Sequence, residues 1–151
     1  MQRNARGVSL LEMLLVVALL AAISAVVAAA MTGGFAGIQL RSEAKRITAQ
    51  LRYTRTQAIA TGQAQRFTID PQARTWTAPN NRHGAIPPKL GITFTGAREM
   101  QPRRGEGAIV FFPDGASTGG RVQLNAKQAA MNIDVTWLTG EVRLKRGEVR
   151  R

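Results

Sequence analysis

The stretch that decides the fold is the decapeptide at 7–16, GVSLLEMLLV, which opens the most apolar part of the chain. Between Met13 and Met31 only Ser24 is polar. As a helix, the 24 residues of 8–31 would be roughly 36 Å long at about 1.5 Å per residue, which exceeds a bilayer core of about 30 Å. Because a single segment in lipid must pair all its backbone groups internally, we predict a membrane-spanning helix over 8–31.

Two other interpretations of this segment compete. A cleaved secretory signal would use Arg3 and Arg6 as its charged start and an Ala-rich site near 28–30, but its apolar region is typically about 7–15 residues long. A plain single-pass anchor explains the apolar character. Neither explains Glu12, since a carboxylate costs about 2.5–3.5 kcal/mol at the centre of a membrane on insertion scales. The glutamate therefore indicates a role beyond anchoring.

Charge is the second strong feature of the sequence. Arg3 and Arg6 precede the apolar run, and 19 basic against eight acidic residues follow it, for a net charge of +11 out of +12 in the whole chain. The two leading arginines favour a cytoplasmic N-terminus. The basic remainder favours an anionic partner (nucleic acid, lipid headgroups or an acidic protein face), or it serves only to keep a small domain soluble. Cysteine is absent from the sequence, which excludes disulfides and thiolate metal sites.

A second helical pattern follows a glycine-rich run. We expect 32–37, TGGFAG, to break or loosen the helix, because each Gly costs about 1 kcal/mol relative to Ala. Helical spacing returns over 38–61, and Gly62 is a plausible C-cap. The expected buried stripe is Leu40, Ala44, Ile47, Leu51, Thr54 and Ala58. The basic residues off that stripe (Arg41, Lys45, Arg52, Arg55) are consistent with a solvated face or with anion binding.

The remainder is predicted to form strands. The expected strands are 65–70, 75–78, 91–95, 108–112, 121–124, 132–138 and 141–145. We expect loops at 79–88 and 98–107, and a tight hairpin at Thr139-Gly140. The segment Pro113-Asp114-Gly115 is expected to turn, and Gly119-Gly120 to return the chain to the sheet. The residues alone thus indicate an α+β chain with a helix packed on a sheet.

Two motifs carry a resemblance to a known family. The 7–16 segment resembles the type IV prepilin signature, which has a short basic leader ending in Gly, then an apolar residue, then Glu five positions after the Gly. The segment 111–124, FFPDGASTGGRVQL, resembles the hallmark of the general secretion pathway protein H group within the GspH/FimT class. The segment 137–142, WLTGEV, is similar to the final hairpin of that group.

The resemblance implies how the N-terminus is processed. A prepilin peptidase would cut between Gly7 and Val8 and methylate the new N-terminus at Val8, where Phe is commonest in the family. Glu12 would then be the assembly residue. In a filament core, its carboxylate would neutralise the terminal ammonium of a neighbouring subunit, and the cost of an unpaired buried charge would set the register.

The resemblance also implies fold and function. It implies a pilin-like α+β fold in which a long N-terminal helix, half transmembrane and half amphipathic, packs on antiparallel sheets. The expected segments are a leader (1–7), a membrane and filament-core helix (8–31), a Gly-rich joint (32–37), an amphipathic helix (38–62) and a periplasmic β-rich domain (63–151). Such a chain would be a minor pseudopilin of a type II secretion system, at or near the tip of the periplasmic pseudopilus, assisting export of folded proteins across the outer membrane.

The same resemblance implies partners and location. The partners would be a prepilin peptidase, other minor and major pseudopilins, an inner-membrane assembly platform and membrane lipid. The chain would cross the bacterial inner membrane once, with its N-terminus in the cytoplasm and its C-terminal domain in the periplasm. No cofactor or metal is expected, and no enzymatic activity. The single histidine, His83, lies in a polar loop, and Asp114 is better explained as a turn residue than as an acid catalyst.

The alternative function is that of a FimT-like minor pilin that binds DNA during natural uptake. Only under this alternative is nucleic acid a partner. The candidate anion-binding residues are Arg143, Lys145, Arg146, Arg150 and Arg151. However, Glu148 follows Gly147 where the FimT-type tail has Arg, and the tail contains no aromatic residue for stacking on bases. A solvated basic tail accounts for the same residues.

Overall fold

A computed structural model describes residues 9–96, 105–127 and 129–148, excluding the side chains of 29–35. The elements of this part of the chain are α1 (Leu10–Thr61), β1 (Gln65–Asp70), β2 (Thr75–Ala78), β3 (Arg82–Ala85), β4 (Gly91–Thr95), β5 (Gly107–Phe111), β6 (Gly120–Ala126), β7 (Ala129–Val135) and β8 (Val142–Gly147). The chain divides into two units, Met1–Phe35 and Ala36–Arg151, and each is considered by itself.

Helix α1 is unbroken from Leu10 to Thr61. The predicted break at 32–37 is therefore wrong, although the division between the two units falls inside this run. Each Gly weakens a helix by about 1 kcal/mol, but a new pair of helix ends would leave several backbone groups without partners. Whether 32–37 acts as a joint stays a prediction. The predicted end is confirmed, since Gly62 directly follows α1 with a φ of 65°, as a C-cap requires.

The predicted stripe of α1 forms one wall of the hydrophobic core. All six stripe residues are buried, with at most 2% of their surface exposed. The five apolar ones join side chains from both sheets in one cluster, which includes the fully buried Phe67, Ile69, Ile109, Phe111, Leu124 and Ile133. The second half of the helix is thus held by burial of one face, as the spacing of three and four predicts.

The strands form two antiparallel four-stranded sheets, which confirms the predicted fold class. Their strand orders are β3-β2-β1-β5 and β4-β6-β7-β8. Strand β3 lies in the segment predicted as a loop. It pairs with β2, with Thr75 opposite Ala85 and Ala78 opposite Arg82. The strand was predicted as a loop because Pro and Asn residues flank it. Two of them, Asn80 and Asn81, form the turn between β2 and β3 with positive φ angles.

The last hairpin also differs from the prediction. Strand β7 ends at Val135 and not at 138, and residues 136–141 form its connection to β8. In this connection the Gly140 N–H donates to the Thr136 carbonyl (2.8 Å), and the Trp137 carbonyl accepts from the Ser117 N–H (2.8 Å). Because this backbone bonds to a neighbouring loop, the chain leaves the sheet earlier than a two-residue turn would require.

Candidate functional site

The start of α1 is organised by Ser9 and Glu12. The Ser9 carbonyl accepts from the N–H groups of Glu12 (2.9 Å) and Met13 (3.2 Å). Its hydroxyl accepts from the Leu11 N–H (3.4 Å). Ser9 is therefore the N-cap, and Glu12 lies at the third helical position, as in a capping box. The carboxylate in the first turn also interacts favourably with the positive end of the helix.

The first part of α1 is an apolar helix whose side chains are exposed. The segment Leu10–Ala28 has a mean hydropathy of 2.7 and is long and apolar enough to cross a membrane. Its side chains, as described, have no contacts within the protein that bury them. Glu12 is the only charged residue in this segment. The Ser24 hydroxyl, by contrast, donates a hydrogen bond to the Leu20 carbonyl one turn earlier in the same helix (2.8 Å). A single charged side chain thus stands on a surface suited to lipid or to other apolar helices.

Several sites predicted from the sequence lie outside the described residues. These are Gly7 and Val8 at the expected cleavage position and Arg150 and Arg151 in the tail. Their assignments stay predictions.

The described part of the basic tail is strand β8, an edge strand of the second sheet. Arg143 and Lys145 lie opposite Asp134 and Asn132 of β7, on one face of the sheet, whereas Arg146 lies opposite Met131 on the other face. The structure thus brings two of the three described tail cations to one face and separates the third. This strand does not form a single continuous row of basic side chains.

Arg143 is also engaged in an ion pair. Its Nε and Nη2 atoms each approach a carboxylate oxygen of Glu141 at 2.8 Å. The hydrogen bond from Arg143 lowers the pKa of Glu141 below its ordinary value, slight burial opposes this, and the positive charges of Arg143, Arg52 and Arg55 lower it further. The same hydrogen bond raises the pKa of Arg143. An incoming phosphate would have to compete with Glu141 for this arginine.

The outer face of the second sheet is polar. Arg121 of β6 donates to Asp134 of β7 at 2.5 Å, and this hydrogen bond raises the pKa of Arg121. The Gln123 amide donates to the Asn132 oxygen (2.8 Å). Within each pair, the two side chains hydrogen-bond to each other across neighbouring strands. This arrangement is expected of a solvated sheet face.

Two loops meet at the C-terminal end of α1. In the first, the Gly115 N–H donates to Phe112 O (2.9 Å) and Asp114 Oδ1 accepts from the Ala116 N–H (3.0 Å), which confirms the predicted turn. The chain then enters β6 at Gly120, as predicted. The second loop is 136–141. The helix is bonded to the first loop where the two loops meet, because Arg55 Nε donates to the Gly115 carbonyl (3.1 Å).

Catalytic chemistry is not supported by the described residues. They include no group of three or more His, Asp or Glu side chains placed to bind a metal ion. The His83 side chain is exposed, and its Nδ1 lies 2.9 Å from the Asn81 carbonyl.

Sequence reasoning missed two features of these sites. One is the N-cap at Ser9, for which the spacing Ser-x-x-Glu was an available signal. The other is the exposure of Trp137 and Leu138, 68% and 63%. They were expected to lie in the predicted strand 132–138, whereas the strand ends at Val135.

Comparison with known proteins agrees with the fold and the motifs. Residues 43–140 match the family described as type II transport protein GspH. The type II secretion system protein H of Xanthomonas campestris is 61% identical over 142 residues, covering 94% of this chain and 84% of that protein.

Two solved structures show the same fold at low sequence identity. The minor pseudopilin EpsH from the type 2 secretion system of Vibrio cholerae matches at 16% identity and a TM-score of 0.58, over 72% of this chain and 97% of that one. The type IV minor pilin FimU of Pseudomonas aeruginosa matches at 14% identity and a TM-score of 0.55, over 70% and 87%. The alternative of a FimT-like DNA-binding pilin is not favoured. The chain belongs to the GspH family of type II transport proteins, and it is a structural pseudopilin, not an enzyme.

Proposed function

We propose that this chain is a minor pseudopilin that takes a place at or near the tip of the periplasmic pseudopilus. In this proposal it enters the inner membrane through Leu10–Ala28, with the N-terminus in the cytoplasm and residues from Ala36 onward in the periplasm. A prepilin peptidase cuts between Gly7 and Val8 and methylates Val8. The inner-membrane platform then moves the chain into a filament of other minor and major pseudopilins.

The observation that carries the proposal is the position of Glu12. It is the only charged residue in the apolar segment Leu10–Ala28, and it lies in the first turn of α1. After cleavage, the ammonium of Val8 would stand about one turn before it. A charge pair between neighbouring subunits would relieve the cost of placing either group among apolar helices, and it would do so in one axial register only.

The test of Glu12 uses the full chain in a host strain that lacks its own copy. We expect Glu12→Gln to enter the membrane and be processed normally, while coprecipitation with other pseudopilins and secretion of type II cargo fall at least about tenfold, because an unpaired charge then remains in the core. Ser24→Ala is the matched control, since the Ser24 hydroxyl bonds only within its own helix among the described residues. Normal secretion by Glu12→Gln would refute the role of this carboxylate.

The cleavage position has its own test. Gly7→Ala should leave the seven-residue leader on the chain, which intact mass measurement of the purified protein detects. A mature mass identical to that of the unaltered chain would reject the assignment of the Gly7–Val8 bond.

A further inference from the structure

Large apolar side chains are exposed at one end of the unit that begins at Ala36. Trp137 (68%) and Leu138 (63%) project from the loop between β7 and β8, and Ile59 (49%) projects from the last turn of α1. Large apolar side chains such as these normally contribute to stability by being buried in the core. At protein interfaces, Trp is among the residues that most often supply the largest share of the binding energy. The exposure of three such groups at one place therefore requires an explanation beyond folding.

The three side chains lie around the same junction of two loops and a helix. Ile59 Cδ1 lies 3.5 Å from the position that a Cβ on Gly115 would take. Gly115 in turn contacts Gly140 in the loop that carries Trp137 and Leu138. We call Ile59, Trp137 and Leu138 the Trp137 patch.

The loop that presents the patch is held by backbone hydrogen bonds. The Trp137 carbonyl accepts from the Ser117 N–H (2.8 Å), and the Thr136 carbonyl accepts from the Ser117 hydroxyl (3.1 Å). Within the loop, the Thr136 N–H donates to the Glu141 carbonyl (3.0 Å). A side chain on a fixed backbone loses little entropy on binding, so the patch is preorganised for a partner.

The surroundings of the patch carry more positive than negative charge. Arg52 and Arg55 use their hydrogen bonds on the carbonyls of Val142 and Gly115, at 3.1 Å each, and not on carboxylates. Arg143 is paired with Glu141. Arg52 and Arg55 also act on Glu141 through their charge, but three guanidinium groups face this one carboxylate, so a net positive charge remains that an acidic surface can neutralise.

The charge also indicates what kind of surface fits. A second copy of this chain brings a net charge of +11 after the apolar run, so two copies repel each other. An anionic lipid surface would attract the arginines, but it would repel the exposed carboxylates of Asp114 and Glu141 in the same two loops. A protein surface can place a separate partner opposite each charge and an apolar pocket opposite Trp137.

We propose that the Trp137 patch is a docking surface for the globular domain of a different pseudopilin, one whose contacting face is acidic around an apolar pocket. This rests on the proposed function, in which the chain stands among other pseudopilins. Trp137 is the anchor side chain, and Arg52 and Arg55 orient the partner.

The test places a photoreactive residue in the full chain within its own secretion system. We expect Leu138→p-benzoylphenylalanine to form an adduct with another pseudopilin, identified by mass spectrometry of the product. The matched control is the same substitution at Ile38, which is equally exposed (69%) but about 30 Å before Ile59 along the helix. It should not form this adduct. Adding Trp137→Ala to the Leu138 variant should lower the adduct yield at least about tenfold.

Each other outcome has a definite meaning. An adduct with a second copy of this chain or with lipid overturns the proposal, as does the absence of any adduct in a strain whose secretion depends on the chain. Unchanged adduct yield with Trp137→Ala overturns the role of this side chain. Normal secretion by a strain that lacks this chain altogether would reject the pseudopilus role itself and the docking surface with it, so the two failures are distinguishable. Unfolding followed by the fluorescence of buried Trp76 verifies that Trp137→Ala still folds.

Discussion

The junction of the two loops on α1 can be tested by adding a single methyl group. Gly140 has a φ of 61°, and a Cβ placed on it would overlap the Gly115 carbonyl oxygen and lie 3.0 Å from Arg55 Nε. Gly62 is a matched control. Its φ is 65°, and no atom lies within 4 Å of a Cβ placed there. The two Gly→Ala substitutions therefore share the backbone penalty and differ only in crowding.

The magnitudes follow from these two environments. An alanine in the left-handed region costs about 1–2 kcal/mol at either site. At Gly140 the loops must also move apart, because the obstacle is backbone. Loss of the Arg55 bond to the Gly115 carbonyl and of one of the Ser117 bonds to the 136–141 loop adds about 1 kcal/mol each. We expect Gly140→Ala to destabilise the protein by about 3–4 kcal/mol and Gly62→Ala by about 1–2 kcal/mol.

The assay is thermal unfolding of the full chain in detergent. Trp76 supplies the signal, because it is 3% exposed in the folded protein and Trp137 is already in solvent. At roughly 4 °C per kcal/mol, the midpoint of Gly140→Ala should lie about 8 °C below that of Gly62→Ala. Equal midpoints for the two variants would refute the close packing of the loops on which the Trp137 patch depends.

Two further predictions concern the ion pair and the core. The pKa of Glu141 should lie below that of an ordinary glutamate and should rise in Arg143→Gln, as measured by the ¹³C shift of its carboxyl group. Because the folded protein depresses this pKa, the ion pair stabilises the fold at pH values above the ordinary pKa of glutamate. That stabilisation is lost as the pH falls through the pKa of Glu141 in the folded protein. Leu51→Ala should destabilise the protein by about 2–5 kcal/mol in the same unfolding assay, since Leu51 is fully buried, whereas Ile38→Ala at an exposed position should change stability by less than about 0.5 kcal/mol.

The sequence was most informative where a short period repeats over a long segment. The stripe from Leu40 to Ala58 predicted the buried face of the second half of α1, and β1, β2 and β4 were predicted with the bounds observed. These elements are set by the local alternation of apolar side chains, which a sequence displays directly.

The misjudged elements depend on contacts with distant residues. Strand β3 forms because its backbone pairs with β2, although its side chains are polar or small. Strand β7 ends at Val135 because the next residues bond to the loop around Ser117. Neither partner is visible in the local sequence. The helix through 32–37 shows the reverse error, since a local penalty for Gly was overcome by the long helical segments on both sides.

The candidate site was predicted in part. Glu12 was singled out from its cost in an apolar segment, which requires no tertiary information, and its role in assembly stays a prediction. The pairing of Arg143 with Glu141 and the exposure of Trp137 were not, because both depend on the path of the 136–141 loop. Charge counting alone treated the tail as five equivalent cations, whereas the described three differ in pairing and in the face they occupy.

The bonds from α1 to the last part of the chain have a consequence for the order of folding. Arg52 reaches the Val142 carbonyl across 90 positions, and Arg55 reaches Gly115 across 60. Contacts so distant in sequence form late and slow the folding reaction. The amphipathic half of the helix is therefore synthesised long before the strands that cover it, and the core closes only once β8 has been made. A chain that stops short of Val142 lacks an edge of its second sheet and the bond from Arg52, so an unfinished chain keeps its core open until its last strand has been added.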